Sequence, residues 1–302
     1  MVELELKKFD MTQIREGNVV ALIGRRNTGK SFLCRDILYN HRDIPVGQVI
    51  SETEEENQFY SKIVPKLFIH DKFKTDIVQN MLQRNKLMIK KIHQGENLDP
   101  RAFLILDDCL YDNQWTKDKS MKSLFMNGNH HKILSLLTIK YALDIPPRSR
   151  SMVDYVFILR ENCISNRILL YEHYASMFPT FEMFCQVMDQ CTENYECLVI
   201  NNNAKSNKLS DQVFWYKAEE RPSFKVGSQQ YWDYSDKSYI PLSPQPTKEE
   251  CIICLEDVPL DNDMWVKCIK CTNTICKRCK EQLIHIKCTI CREMNSYVPR
   301  IF

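Results

Sequence analysis

Eight residues near the start of the chain, Gly24-Arg25-Arg26-Asn27-Thr28-Gly29-Lys30-Ser31, carry the pattern G-x-x-x-x-G-K-S/T. They follow the apolar run VVALI (19–23) and lead into KSFLCRDILYN (30–40), which reads as a helix. The order strand, turn, helix is the context in which this pattern holds phosphate. Gly24 and Gly29 let backbone N–H groups curl around an anion. Asn27 and Thr28 supply further amides of the loop, and the helix start adds its partial positive charge. Lys30 is then placed to reach the outer phosphates of a nucleotide, and the Ser31 hydroxyl to ligate Mg²⁺.

A fold that can present such a loop must have buried strands, and the next 200 residues supply them. Short apolar runs recur at 47–51, 66–70, 102–106, 133–139, 154–159, 196–200 and 212–216. Helical stretches lie between them, at 75–93, 165–174 and 180–190. Continuous rather than alternating apolar runs predict strands covered on both faces. The expected class is therefore α/β, a mostly parallel sheet with helices on both faces.

The run AFLIL ends in Asp107-Asp108. An acid at the exposed end of a buried strand meets the phosphate loop across the top of the sheet. Asp107 is placed to hold Mg²⁺, and Asp108 to orient and deprotonate an attacking water. The plain alternative is a pair of turn acids ending a strand. The strand ILSLLTI runs into Lys140, a candidate sensor of the terminal phosphate. Arg148 and Arg150, on a loop stiffened by Pro146 and Pro147, are either catalytic arginines offered to a neighbouring subunit or solvated surface groups. Four glutamates in SETEEENQFY (51–60) read as a solvated helix start or a metal fence. The basic residues Arg84, Lys86, Lys90 and Lys91 read as a solvated helix face or a contact for DNA phosphates.

The net charge of +2 neither demands nor excludes a nucleic-acid partner. No apolar run approaches the roughly 18 residues of a membrane-spanning helix, and the first residues lack a signal-peptide pattern. The expectation is a soluble intracellular protein without a membrane partner.

Near residue 225 the composition shifts towards Ser, Gln, Tyr and Pro. The expected organisation is a nucleotide domain over 1–235, a linker over 236–248 and a second domain over 249–302. Of the 14 cysteines, eight fall in four C-x-x-C pairs: Cys251/Cys254, Cys268/Cys271, Cys276/Cys279 and Cys288/Cys291. Eight thiolates suit two tetrahedral Zn²⁺ sites, and a module this small needs the metal to fold. Cys163, Cys185, Cys191 and Cys197 lack such pairing and read as core or incidental residues.

The stretches GRRNTGKS, VPKLFIHD, AFLILDDCLYD, LFMNGNHHKI, IPPRSRSMVDYVFILRE and PTFEMFCQVMDQCTENYECLVINN together resemble the DNA-packaging ATPases of large nucleocytoplasmic DNA viruses. These are relatives of bacterial chromosome-translocating motors. The resemblance spans about 15–220. It implies a RecA-like P-loop NTPase fold and a homo-oligomeric ring coupling ATP hydrolysis to movement of double-stranded DNA into a capsid. The location implied is the host cytoplasm or the virion. Asn129 stands where the family carries an arginine, and Lys140 where it tends to carry a glutamine. Lysine only donates hydrogen bonds, whereas glutamine also accepts them.

The cysteine array resembles a RING finger over about 249–295. That resemblance implies cross-braced ligation: the first and third pairs share one zinc, the second and fourth the other. All eight ligands here are cysteines, and His285 reads as structural or exposed. Ile253 and Arg292 match positions with which RING domains engage a ubiquitin-conjugating enzyme and its ubiquitin, while Thr289 replaces a familiar proline. A rival reading follows, in which the chain is a RING ubiquitin ligase or adaptor and its nucleotide domain a scaffold with weak or lost hydrolysis.

Overall fold

The computed structural model describes residues 5–109, 114–238, 248–259, 264–283, 287–288, 290–294 and 296–299. The chain divides into two compact units, Met1–Tyr239 and Ile240–Phe302.

The first unit is built on nine strands: β1 (Lys7–Lys8), β2 (Val19–Ile23), β3 (Val46–Ser51), β4 (Ile69–His70), β5 (Ala102–Asp107), β6 (Ile133–Ile139), β7 (Tyr155–Ile158), β8 (Glu196–Asn201) and β9 (Val213–Lys217). They form one sheet in the order β1-β9-β8-β7-β2-β6-β5-β3-β4. Every neighbouring pair is parallel except the two that β8 makes, with β7 and with β9. Every residue of β2, β5 and β6 is buried, as their unbroken apolar runs require.

Because side chains alternate across a strand, these strands feed two cores. Val19, Ala21 and Ile23 of β2 join Leu104 and Leu106 of β5 on one face. Val20 and Leu22 join Phe103 and Ile105 on the other. The helices Thr75–His93, Lys119–His131, Ile164–Tyr174 and Phe181–Cys191 cover the first face. The helices Lys30–Asn40 and Gln229–Ser238 cover the second.

Three local readings change. The run 66–70 is a 3-10 turn, Lys66–Phe68, with only Ile69 and His70 in the sheet. The helix Lys119–His131 has a clear N-cap, since the Asp118 carboxylate accepts from Met121 N at 2.9 Å. Residues 229–238, within the polar stretch after 225, form a helix held to the sheet by Tyr231. The Tyr231 hydroxyl donates to Gly47 O at 2.7 Å and its ring stacks on Phe68. Residues 236–238 of the expected linker belong to this helix, 239–247 lie outside the described residues, and Lys248 opens the next strand.

In the second unit, β10 (Lys248–Glu250) pairs with β11 (Asp257–Pro259), and β12 (Trp265–Cys268) lies between β13 (Thr274–Cys276) and β14 (Tyr297–Pro299). One short helix, Lys277–Gln282, follows β13. Its small core is Trp265, Val266 and Ile275 packed among Cys251, Cys276 and Cys279.

Candidate nucleotide site and cysteine tetrads

The loop Gly24–Gly29 joins the end of β2 to the helix Lys30–Asn40. Gly29, the N-cap, has φ 99°, a left-handed conformation natural to glycine. Gly24 is required for space: a Cβ there would stand 2.7 Å from Thr28 Oγ1 and 2.9 Å from Leu159 Cβ. Thr28 braces the loop by donating to Arg25 O at 2.8 Å, and Asn27 takes φ 62°. Lys30, buried to 6% exposure, donates to Gly24 O at 2.9 Å and Arg25 O at 3.2 Å.

The topology brings the acids to this loop. β5 and β2 both border β6, and all three run the same way, so Asp107, Thr138 and Gly24 meet at one end of the sheet. Asp107 is buried and accepts three hydroxyl hydrogen bonds: Ser31 at 3.1 Å, Tyr60 at 2.9 Å and Thr138 at 2.6 Å. Burial pushes its carboxyl up from the usual range, and the hydroxyls of Thr138, Tyr60 and Ser31 oppose that push. A hydroxyl and a carboxylate oxygen side by side are hard-oxygen donors of the kind Mg²⁺ takes.

Asp108 turns the chain sharply, with φ 51°, while its N–H donates to Thr138 Oγ1 at 2.8 Å. A non-glycine residue in this conformation is strained, and such strain collects at working sites. The turn sets the Asp108 carboxylate between two ammonium groups, Lys30 at 3.5 Å and Lys140 at 3.6 Å. A cleft of about 780 Å³ opens here, lined by Lys30, Ser31, Asp107, Asp108 and Lys140 and fenced by Glu52 and Glu56.

Some expected residues lie elsewhere. Arg148 and Arg150 sit on the short helix Pro147–Arg150 and do not line the cleft. Arg148 is exposed. Arg150 donates to Ile145 O at 2.9 Å and lies over the Tyr174 ring. Asn129 is at the opposite end of the sheet, packed against Gly17 ahead of β2. His285 and Thr289 lie outside the described residues.

Tyr60 has no signal in the sequence. It arrives through a turn that Glu54 closes, the Glu54 carboxylate accepting from Tyr60 N at 2.8 Å and Ser61 N at 2.7 Å. Of the four glutamates read as a solvated helix start or a metal fence, Glu54 is thus a buried clamp.

The eight paired cysteines gather into two tetrads, Cys251/Cys254/Cys276/Cys279 and Cys268/Cys271/Cys288/Cys291, with the sulfurs of each within 4.8 Å of one another. Cys268 and Cys291 are 3.6 Å apart, as are Cys271 and Cys288. Sulfurs placed tetrahedrally around Zn²⁺ would be separated by about 3.8 Å. Burial works against ionising Cys251, but the backbone N–H groups of Cys276, Cys254 and Ile253 outweigh it and hold the thiol down at about 6. The same crowding pushes Cys276 and Cys279 up, through burial first and then through their thiol neighbours. Four thiols so close ionise together only around a cation, so the donor set fits zinc.

No known protein-family profile matches the chain. Over 244 residues it is 36% identical to the uncharacterised protein L437 of Acanthamoeba polyphaga mimivirus, covering 79% of this chain and 86% of that protein. It is also 39% identical over 250 residues to the uncharacterised protein 075L of Invertebrate iridescent virus 6, covering 78% and 95%. The chain belongs to this family of viral proteins.

Among solved structures, the family member described here is similar to the genome packaging NTPase B204 of Sulfolobus turreted icosahedral virus 2 in complex with AMP. The TM-score is 0.49 at 18% identity, over 68% of this chain and 100% of that one. It is similar also to EccC of Thermomonospora curvata, with TM-score 0.46 at 12% identity, over 82% and 51%. The large, mostly parallel sheet with a phosphate-type loop after β2 is the α/β fold of P-loop ATPases. Among the described residues, no helix is long and apolar enough to cross a membrane.

Proposed function

We propose that this protein is an ATP-hydrolysing motor that packages viral double-stranded DNA, working as a homo-oligomeric ring and carrying a RING-type zinc domain at 249–302. The observation that carries the motor reading is the convergence of Lys30, Ser31, Asp107 and Asp108 on one cleft. The phosphates of ATP sit on the loop amides and Lys30. Mg²⁺, held by Ser31 and Asp107, neutralises charge on the outer phosphates. Asp108 orients the attacking water and takes its proton. Lys140, already paired with Asp108, reads the state of the terminal phosphate. Arg148 and Arg150 are assigned to a neighbouring subunit's site. That Arg148 is exposed agrees with such a role, whereas the contacts of Arg150 tie it to its own chain.

The test is ATP turnover with and without double-stranded DNA. Stimulation by DNA that vanishes in Lys30→Ala supports the motor. Absence of Mg-ATP binding in the wild type overturns it.

The grouping of the first cysteine pair with the third and the second with the fourth supports the RING reading. A second function, ubiquitin ligase or adaptor, is favoured by one observation: Ile253, inside the first pair, is 39% exposed, and Arg292 is exposed after the last. An apolar side chain displayed on a metal-bound turn suits docking of a ubiquitin-conjugating enzyme. Self-ubiquitination lost in Ile253→Ala, without ATP turnover above background, would favour this reading over the motor.

A further inference from the structure

A second cavity, of about 480 Å³, adjoins the phosphate cleft, and the two share Gly29 and Phe32. Its character is different. Where the cleft is lined by lysines and carboxylates, this cavity is lined mainly by Phe32, Leu33, Leu159, Tyr195, Cys197 and Ala218.

Its walls are fixed from two sides. Asn194 and Tyr195, consecutive non-glycine residues, both take positive φ, 51° and 65°. This strained turn before β8 lays the Tyr195 ring beside the loop, Cδ1 lying 3.4 Å from where a Gly29 Cβ would be. Tyr195 is nevertheless 70% exposed, so an aromatic face is displayed at the shoulder of the phosphate loop. The opposite wall follows β9 and is pinned to the phosphate-loop helix through Asp36. The buried Asp36 carboxylate accepts from Tyr216 OH at 2.6 Å, Glu219 N at 3.0 Å and Arg221 Nε at 2.7 Å. Loop, helix and both walls are therefore set before a ligand arrives.

We infer that this cavity receives the base of the substrate nucleotide, a purine ring stacked on Tyr195 with its apolar faces against Phe32, Leu159 and Ala218. The assignment rests on the reading of the neighbouring cleft as the phosphate seat. A ligand whose phosphates occupy the loop amides has its nucleoside end beside Gly29, where the wall turns from charged to apolar. Stacking on an exposed aromatic ring gains binding free energy without needing a base-specific hydrogen bond.

The experiment compares binding of ATP and of inorganic tripolyphosphate, each with Mg²⁺, by calorimetry on the full chain. The variants are Tyr195→Ala, Tyr195→Phe, Ala218→Trp and Lys30→Ala. Tyr195→Ala is expected to weaken ATP by about tenfold and leave tripolyphosphate unchanged, while Tyr195→Phe keeps wild-type affinity for ATP. Ala218→Trp, which fills the cavity, should exclude ATP and spare tripolyphosphate. Lys30→Ala should weaken the two alike. Equal affinity of the wild type for ATP and tripolyphosphate, or no effect of Tyr195→Ala and Ala218→Trp on ATP, overturns the base pocket and leaves the phosphate seat standing. A wild type that takes up neither compound overturns the phosphate seat itself, and the base pocket with it.

Discussion

The Ser31 hydroxyl donates to the Asp107 carboxylate at 3.1 Å, tying the first turn of the phosphate-loop helix to the end of β5 across 76 positions of chain. If the two oxygens serve one metal, they act as a unit. Ser31→Ala and Asp107→Asn should each lower Mg-ATP turnover by on the order of 100-fold, and the double variant should fall little further. Steady-state kinetics over a Mg²⁺ series checks this. A double variant that shows the product of the two losses would mean that the groups work independently.

Tyr60→Phe removes one donor from the buried Asp107 carboxylate and keeps the ring that packs edge-on against Phe59 at 5.0 Å. A buried acceptor stripped of a partner costs about 1–3 kcal/mol, so urea denaturation should register a loss of that size. An unchanged midpoint would mean that Ser31 and Thr138 alone satisfy the carboxylate.

The tetrads make a prediction in integers. Cys251→Ser/Cys276→Ser disables one set of thiols and should leave one zinc per chain, whereas Cys251→Ser/Cys268→Ser disables both sets and should leave none. Elemental analysis of the purified variants reads the difference. Pairing of neighbouring C-x-x-C turns, first with second, would reverse the two results.

His41, which ends the phosphate-loop helix, has its ring Nε2 buried with no hydrogen-bond partner among the described residues. Burial holds the imidazole below its usual range, with Asp43 and Glu16 opposing and Arg101 assisting. The unfolded chain therefore takes up a proton near pH 6.5 while the folded one stays neutral to lower pH, so stability is lost as pH falls below that value. Denaturation midpoints between pH 7.5 and 5.5 should fall, and less steeply in His41→Gln. Equal slopes for the two proteins would remove His41 from the account.

The parts of the site that a reader of the sequence finds are those encoded locally. Gly24 to Ser31 sit on one turn, and Asp107 and Asp108 directly follow an unmistakable apolar run. Even the helix bounds 30–40 and 75–93 coincide with the structure, because Gly29 starts one and a strong apolar period fills the other. Tyr60 and Tyr195 were hidden for a different reason. Each reaches the loop through an irregular turn, one clamped by Glu54 and the other strained at Asn194, and neither turn has a period to read. The helix Gln229–Ser238 was masked by its polar composition, since it is anchored mainly through the hydroxyl and ring of Tyr231. Spacing alone leaves three ways to group four cysteine pairs, and the choice between them is made by β12, which brings Trp265 opposite Cys276 and Cys268 opposite Tyr297.

The interleaving of the tetrads reaches beyond metal content. A nick anywhere between Cys271 and Cys276 would leave every C-x-x-C turn whole yet divide both sets of thiols two and two. Neither fragment could then complete a coordination sphere alone, and β12 would be parted from β13 as well. The module is thus a pair of half-clasps rather than two fingers in series, and each half is the other's missing partner.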